Sequence, residues 1–277
     1  MIDTGFLLAM LLDLLPVLYA LSFIVYGLGF ATNAPLALRL ARPLLLTAVI
    51  VNVIYLLAYT VYFEHVPMVN VYQVLGAVGF AVAVIYLWVE SRTGTPHTGP
   101  FILVLVLVFQ IVNSLFPKLD REVPEILRST LFSIHVSAAV LGYSAFAVAA
   151  VYGLLYLLQY RVIRGKRFGL LFRRLPSLDI LDRMNTAAAW AGFLLLTVAI
   201  VAGSLWSSRI FGGVKIDPKV LVAILTWVVY GLSLAGHHFT SWRGPRMAFS
   251  SVVGFVVVLF SMFAVNFWLT KFHIFVS

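Results

Sequence analysis

The sequence predicts an all-α fold, a polytopic membrane helix bundle of about eight transmembrane helices with both termini outside. Three observations carry that reading. Apolar residues make up 62% of the 277 positions and charged ones only 10%, with a mean hydropathy of +1.05. A soluble domain carries about a quarter charged residues. Apolar runs long enough to cross a bilayer, about 20 residues each, recur to the end of the chain. The basic residues cluster beside those runs, so the net charge of +9 reads as a topology signal and not as a nucleic-acid surface.

The chain has no cysteine, which excludes thiol catalysis, disulfide exchange, iron–sulfur ligation and thiolate zinc sites. The start, MIDTGF, lacks a positive n-region, so Leu7 to Gly27 reads as a mature span and not as a cleaved leader. The eight predicted spans are 5–30, 40–63, 67–90, 99–116, 131–160, 185–206, 218–239 and 247–270. This arrangement puts twelve of the 19 Lys and Arg residues on the cytoplasmic side and seven outside, as the positive-inside tendency requires.

Span one contains Asp13 and Pro16. A carboxylate in hydrocarbon costs about 2.5–3.5 kcal/mol on insertion scales, so Asp13 is expected to meet water or a neighbouring hydroxyl. The outer loop Glu64-His65-Val66-Pro67 precedes span three. Asn70 and Gln73 there, and Gln110 and Asn113 in span four, are expected to form helix–helix hydrogen bonds. His97, in a short inner loop, is expected to be solvated.

Span five organises the chain. It opens on His135 and ends in the basic run Arg161, Arg164, Lys166 and Arg167. His135, Ala139, Gly142, Ala145, Ala149 and Gly153 recur at steps of three and four, a small-residue face that admits close helix packing. This helix is expected in the middle of the bundle. The inner loop at 161–184 is the most basic, and its FGLLFRRLPSLDILDRMN stretch suggests a short helix lying on the anionic leaflet. A soluble protein docking there is the alternative. Span six ends at Trp206, followed by a loop with a flexible Gly212-Gly213 and by Asp217. Span seven ends at His237-His238. Adjacent helical residues point about 100° apart, so at most one of these two histidines faces any one pocket. His273 follows span eight outside.

Two neutral imidazoles across a flat apolar slot are able to ligate haem iron axially. His135 and His273 are the candidate pair. Phe132, Trp206, Phe211, Phe267, Trp268 and Phe272 are available as aromatic walls, and Arg128, Arg209, Lys215 or Lys219 as propionate partners. The competing reading makes each an ordinary interfacial residue.

Several stretches resemble the cytochrome c assembly protein family, the CcsA-, CcmC- and HemX-like membrane proteins that handle haem. They are HVPMVNVYQVLGAVGF, HVSAAVLGYSAFAVAAVYGLLYL, LPSLDILDRMN, DPKVLVAILTWVVYG and SWRGPRMAFSSVVGFVVVLFSMFAVNFWLTKFHIF, in that order. The resemblance covers roughly 60–277. It implies one membrane domain over 1–277, with N-terminal helices at 1–60 and the family core at 61–277. It also implies haem b held near the outer face, with His135 and His273 as external iron ligands. His237 lies near the family's inner histidine, shifted by two, and with Trp206 and Asp217 it joins the two ligand histidines as an expected cofactor-binding residue. The family's haem-handover members carry a tryptophan-rich segment before Asp-Pro-Lys. Here Asp217, Pro218 and Lys219 follow SSRIFGGVKI, and only Trp206 remains upstream. This is more similar to the HemX-like branch.

The resemblance implies a non-enzymatic carrier or chaperone of cytochrome c biogenesis in the cytoplasmic (inner) membrane. Its partners would be haem, lipid and other biogenesis membrane proteins, with no nucleic acid. Two alternatives stand beside it. One is a HemX-like regulator of tetrapyrrole synthesis, acting through Arg173, Arg174, Asp179, Asp182 and Arg183. The other is a transporter coupled through Asp13, against which stands the lack of a clear inverted repeat.

Overall fold

A computed structural model describes residues 4–68, 70–117, 129–166, 168–213, 218–239, 242 and 244–264, with the side chains of all but 4, 211, 219 and 261–264. Among the described residues the ordered elements are helices, and no strand occurs. The chain divides into two compact units, Met1–Glu122 and Val123–Ser277.

The first unit holds α1 (Thr4–Thr32), α2 (Pro35–Phe63), α3 (Val71–Thr93), a 3₁₀ turn (Pro96–Thr98) and α4 (Gly99–Leu115). Helix α1 buries Leu8, Leu12, Leu15, Tyr19, Ser22 and Tyr26, spaced three or four apart along one face. Asn33, at φ +58°, makes the turn into α2, and Pro35 begins that helix, where a missing N–H costs nothing. Helix α2 packs chiefly on α1 and is also tied to α3. Asn52 Nδ2 donates to Tyr19 Oη at 3.2 Å, and Gln73 Nε2 donates to Tyr59 Oη at 2.9 Å. The boundary at 60/61 is therefore one of likeness, whereas packing divides the chain at 122/123.

The second unit holds α5 (Thr130–Arg164), α6 (Leu170–Arg174), α7 (Leu178–Phe211), α8 (Pro218–Phe239) and α9 (Pro245–Ala264). Helix α5 starts at Ser129, whose hydroxyl accepts from Phe132 N at 3.3 Å. Its small face serves two neighbours. A Cβ on Gly142 would lie 3.2 Å from Leu196 N of α7, and one on Gly153 would lie 2.7 Å from Ala248 O of α9. Phe146 stacks on Tyr230 of α8 at 3.8 Å, and the Tyr230 hydroxyl donates to Ser251 O of α9 at 3.0 Å. Helix α5 thus sits at the centre of this unit, as its small face predicts.

Seven of these helices are long and apolar enough to cross a membrane, and Pro245–Phe260 is a shorter apolar one. Their outward residues are large and apolar, for example Leu36 at 68% exposure, Val61 at 80% and Leu232 at 64%. In water such surfaces would be costly, whereas a bilayer solvates them, and helices satisfy their backbone internally. The chain is a multi-pass membrane protein.

Three local expectations need correction. Span six runs from 178 to 211, not 185 to 206. The LDILDRMN segment is the first turns of α7, braced by Asp179 and Arg183 at 2.6 Å one turn apart. Only Leu170–Arg174 forms a separate short helix. Gly212 is the left-handed cap of α7, at φ +71°, which glycine adopts at no steric cost. Asn70 makes no helix–helix bond of the kind expected among the described residues. Its side chain caps α3 by accepting from Gln73 N at 3.0 Å.

Candidate functional site

The first unit carries an unusual number of buried amides. Gln110 Nε2 donates to Gly76 O at 3.0 Å, so α4 is tied to α3 as the sequence predicts. Asn113 packs against Gly76, where a Cβ would collide with its amide. Asn52, Gln73, Gln110 and Asn113 line a cavity of about 10 Å³, room for one water molecule. Asp13 finds the hydroxyl it needs, because Ser114 Oγ donates to its Oδ1 at 2.9 Å. His65 is buried against Tyr59 and Phe63. His97 is not merely solvated, since its Nε2 lies 3.2 Å from Asn33 Oδ1. Glu90 accepts from the Tyr26 hydroxyl at 2.5 Å, a buried acid–phenol pair that the sequence reading did not single out.

In the second unit His135 occupies a built seat. Its Nδ1 lies 2.7 Å from Ala199 O on α7. A carbonyl only accepts, so Nδ1 carries the proton and the neutral ring keeps its lone pair on Nε2. Gly203, one turn beyond Ala199, makes the space. A Cβ there would lie 2.6 Å from His135 Nδ1. Phe132, one turn before His135, lies 5.3 Å from the ring of Trp206, which is itself buried. Arg209, exposed, is three residues further along α7. His135 and Trp206 are therefore brought together. His273 and Asp217 lie outside the described residues, as do Arg128, Lys215, Phe267, Trp268 and Phe272.

His237 belongs to the opposite end of the unit. The contacts of His135 with Ala199 and Gly203, and of Gly142 with Gly192 and Leu196, set one antiparallel register between α5 and α7. Continued, that register puts Asp182 level with Tyr156, its electrostatic neighbour. His237 Nε2 lies 3.9 Å from Asp182 Oδ2, too far for a hydrogen bond and close enough for an ion pair when the ring is protonated. Tyr156 is 21 positions along α5 from His135, about 30 Å at 1.5 Å per residue. His135 and His237 thus do not share a ligand. His238 is exposed and rests on Phe239, as expected of an adjacent pair.

Close to Asp182 along α7 lie buried polar groups that sequence reasoning missed. Asn185 is fully buried, and neither its Nδ2 nor its Oδ1 has a partner among the described residues. Asp182 Oδ1, Thr186 Oγ1 and Gln159 Oε1 are buried without one as well. The spacing 182, 185, 186 on one helical face was the available signal.

Residues 39–273 match the family described as Cytochrome C assembly protein. The chain belongs to the cytochrome c assembly protein family. It is 27% identical to Protein HemX of Brevibacillus brevis over 269 residues, which is 94% of this chain and 96% of that protein. It is 29% identical to the cytochrome c biogenesis protein CcsA of Parasynechococcus marenigrum (strain WH8102) over 286 aligned positions, 88% of this chain and 93% of that one. With CcsA of Guillardia theta it shares 27% over 223 residues, 73% of this chain and 74% of the other. Family membership supports a role in cytochrome c biogenesis.

The match spans both units, from α2 through His273. Where the resemblance leads one to expect indoles, residues 207–211 instead extend α7 to its glycine cap. The donor set at His135 fits axial ligation of haem. The ring's second nitrogen is held by a backbone carbonyl, the arrangement that orients metal-bound histidines.

Proposed function

We propose that this protein is a non-enzymatic haem carrier of cytochrome c biogenesis, lying in the cytoplasmic (inner) membrane with both chain termini outside. His135 and His273 would ligate the iron of haem b near the outer face. The observation that carries this reading is the hydrogen bond of His135 Nδ1 to Ala199 O, which leaves Nε2 as the ring's Lewis base. Bound haem would supply the iron and porphyrin to be delivered.

The chain's own residues do the holding. Ala199 O fixes the tautomer, and Gly203 leaves room for the ring. Phe132 and Trp206 give an apolar flank, and Arg209 is the described cation at that end available to a propionate. Thioether formation needs thiols from a partner, since this chain has none.

The test is deletion of the chain combined with complementation. Mature c-type cytochromes should fall without it and recover with the wild type, but not with His135→Ala or His273→Ala. Cytochromes at wild-type level in the deletion overturn the reading.

A second reading has its own observation. The helical extension of α7 at 207–211 stands in place of a tryptophan-rich shelf. That favours a HemX-like regulator of tetrapyrrole synthesis, acting through the basic loop. Deletion would then change the abundance of a soluble biosynthetic enzyme while the cytochromes persist.

A further inference from the structure

We infer that the end of α5 together with α6 forms a docking surface for the headgroups of anionic phospholipids. Five described cations gather there: Arg161, Arg164, Lys166, Arg173 and Arg174. The sequence from Tyr160 to Leu178 contains no Asp or Glu. The next carboxylates along the sequence are Asp179, paired with Arg183 at 2.6 Å, and Asp182, 3.9 Å from His237. Arg161, Arg164, Lys166 and Arg173 are exposed, and Arg174 Nε is buried with no partner among the described residues. That N–H lacks an acceptor among the described residues, and a phosphate oxygen from a headgroup would supply one.

The same segment presents an apolar wedge. Phe168 is 54% exposed, Leu170 46% and Phe172 39%, with the two phenyl rings 4.8 Å apart. No residue of α6 is fully buried, and Leu170, Phe172 and Arg173 are exposed. Only the residues between Arg164 and Leu178 connect two bilayer-crossing helices, and α6 lies back against α5. The segment therefore leaves and re-enters the bilayer surface, with Leu175 buried as its anchor.

Cations with interleaved aromatics at that depth suit a phosphodiester headgroup above and acyl chain below. Arginine forks match phosphate oxygens bidentately. An acidic soluble partner would match the cations but would leave the phenyl rings in water.

The lack of cysteine makes a direct test possible. The full chain carrying Leu170→Cys, labelled with a polarity-sensitive dye, is placed in nanodiscs of phosphatidylcholine alone or mixed with phosphatidylglycerol. The dye should shift blue, and be quenched by shallow lipid-borne quenchers, much more strongly in the anionic mixture. High salt should weaken the response. Each cation near an anionic surface contributes about fivefold. Replacing Arg161, Arg164, Arg173 and Arg174 by Gln should therefore lower the preference for the anionic lipid by at least tenfold.

Phe168→Ser with Phe172→Ser leaves the charge, and with it the topology signal, unchanged. This pair should abolish the quenching while sparing most of the headgroup preference, read as anionic lipids retained on the purified protein. A dye that reads water in both lipid mixtures overturns the inference and leaves this face to a soluble acidic partner. A response indifferent to the arginine replacements overturns it as well.

Discussion

Gly203→Ala is the most discriminating single change. The new methyl would stand 2.6 Å from His135 Nδ1 and 2.8 Å from Cε1. Real carbon contacts at such positions do not fall below 3.0 Å, so the ring has to turn away by several tenths of an ångström. Its neighbour is a rigid imidazole already tied to Ala199 O at 2.7 Å. Turning breaks that bond, a loss of about 0.5–1.5 kcal/mol net, and the overpacking adds about 1–3 kcal/mol. Loss of the partner that orients a metal-bound histidine typically costs about tenfold to a hundredfold in affinity.

Gly142→Ala is the control. Its methyl would press on Leu196 N at 3.2 Å, strain the same helix pair and leave His135 alone. The assay is haem retained per purified chain, with the rate of its transfer to a haem-scavenging apoprotein. Gly203→Ala should lose haem at least tenfold faster than Gly142→Ala, although both lower thermal stability. If Gly203→Ala stays folded and holds haem as the wild type does, the seat assigned to His135 is wrong.

Three further outcomes follow from the same contacts. Tyr26→Phe removes the hydroxyl that donates to buried Glu90 and should destabilise the first unit by about 1–3 kcal/mol, read as a lower melting temperature in detergent. Asp13→Asn keeps an oxygen that accepts from Ser114 Oγ, so cytochrome maturation in a complemented strain should be unchanged; a severe loss would revive a transport role. His237→Ala acts at the far end of the second unit from His135. It should leave the iron coordination seen by absorption untouched, and a shifted spectrum would refute that separation.

Much of the bundle was legible because hydrocarbon leaves little choice. Each apolar run must be a helix there, and α5 in particular was readable from its small face. The ends of α7 were not, because charged residues in LDILDRMN read as a surface loop although Asp179 and Arg183 brace a helix turn. His135 stood out as an imidazole at the head of a span. Its partners Ala199 and Gly203 did not, since two small residues four apart are common on membrane helices and say nothing about which side chain they receive. The cluster of Asp182, Asn185 and Thr186 was hidden for a related reason, because polar residues near a basic loop pass as solvated until burial is known. Asn70 shows the limit of reading type without backbone, since the same amide serves a cap as readily as a neighbouring helix.

The central claim is that His135 Nε2 is an iron ligand, and chemical rescue tests it most directly. His135→Gly removes the imidazole and leaves its seat beside Gly203 and Ala199 O. The purified variant, loaded with haem, is examined by absorption and resonance Raman spectroscopy, with and without free imidazole. The account predicts a six-coordinate low-spin spectrum for the wild type, its loss in the variant, and its return when imidazole is added. A variant whose spectrum matches the wild type without imidazole would contradict it.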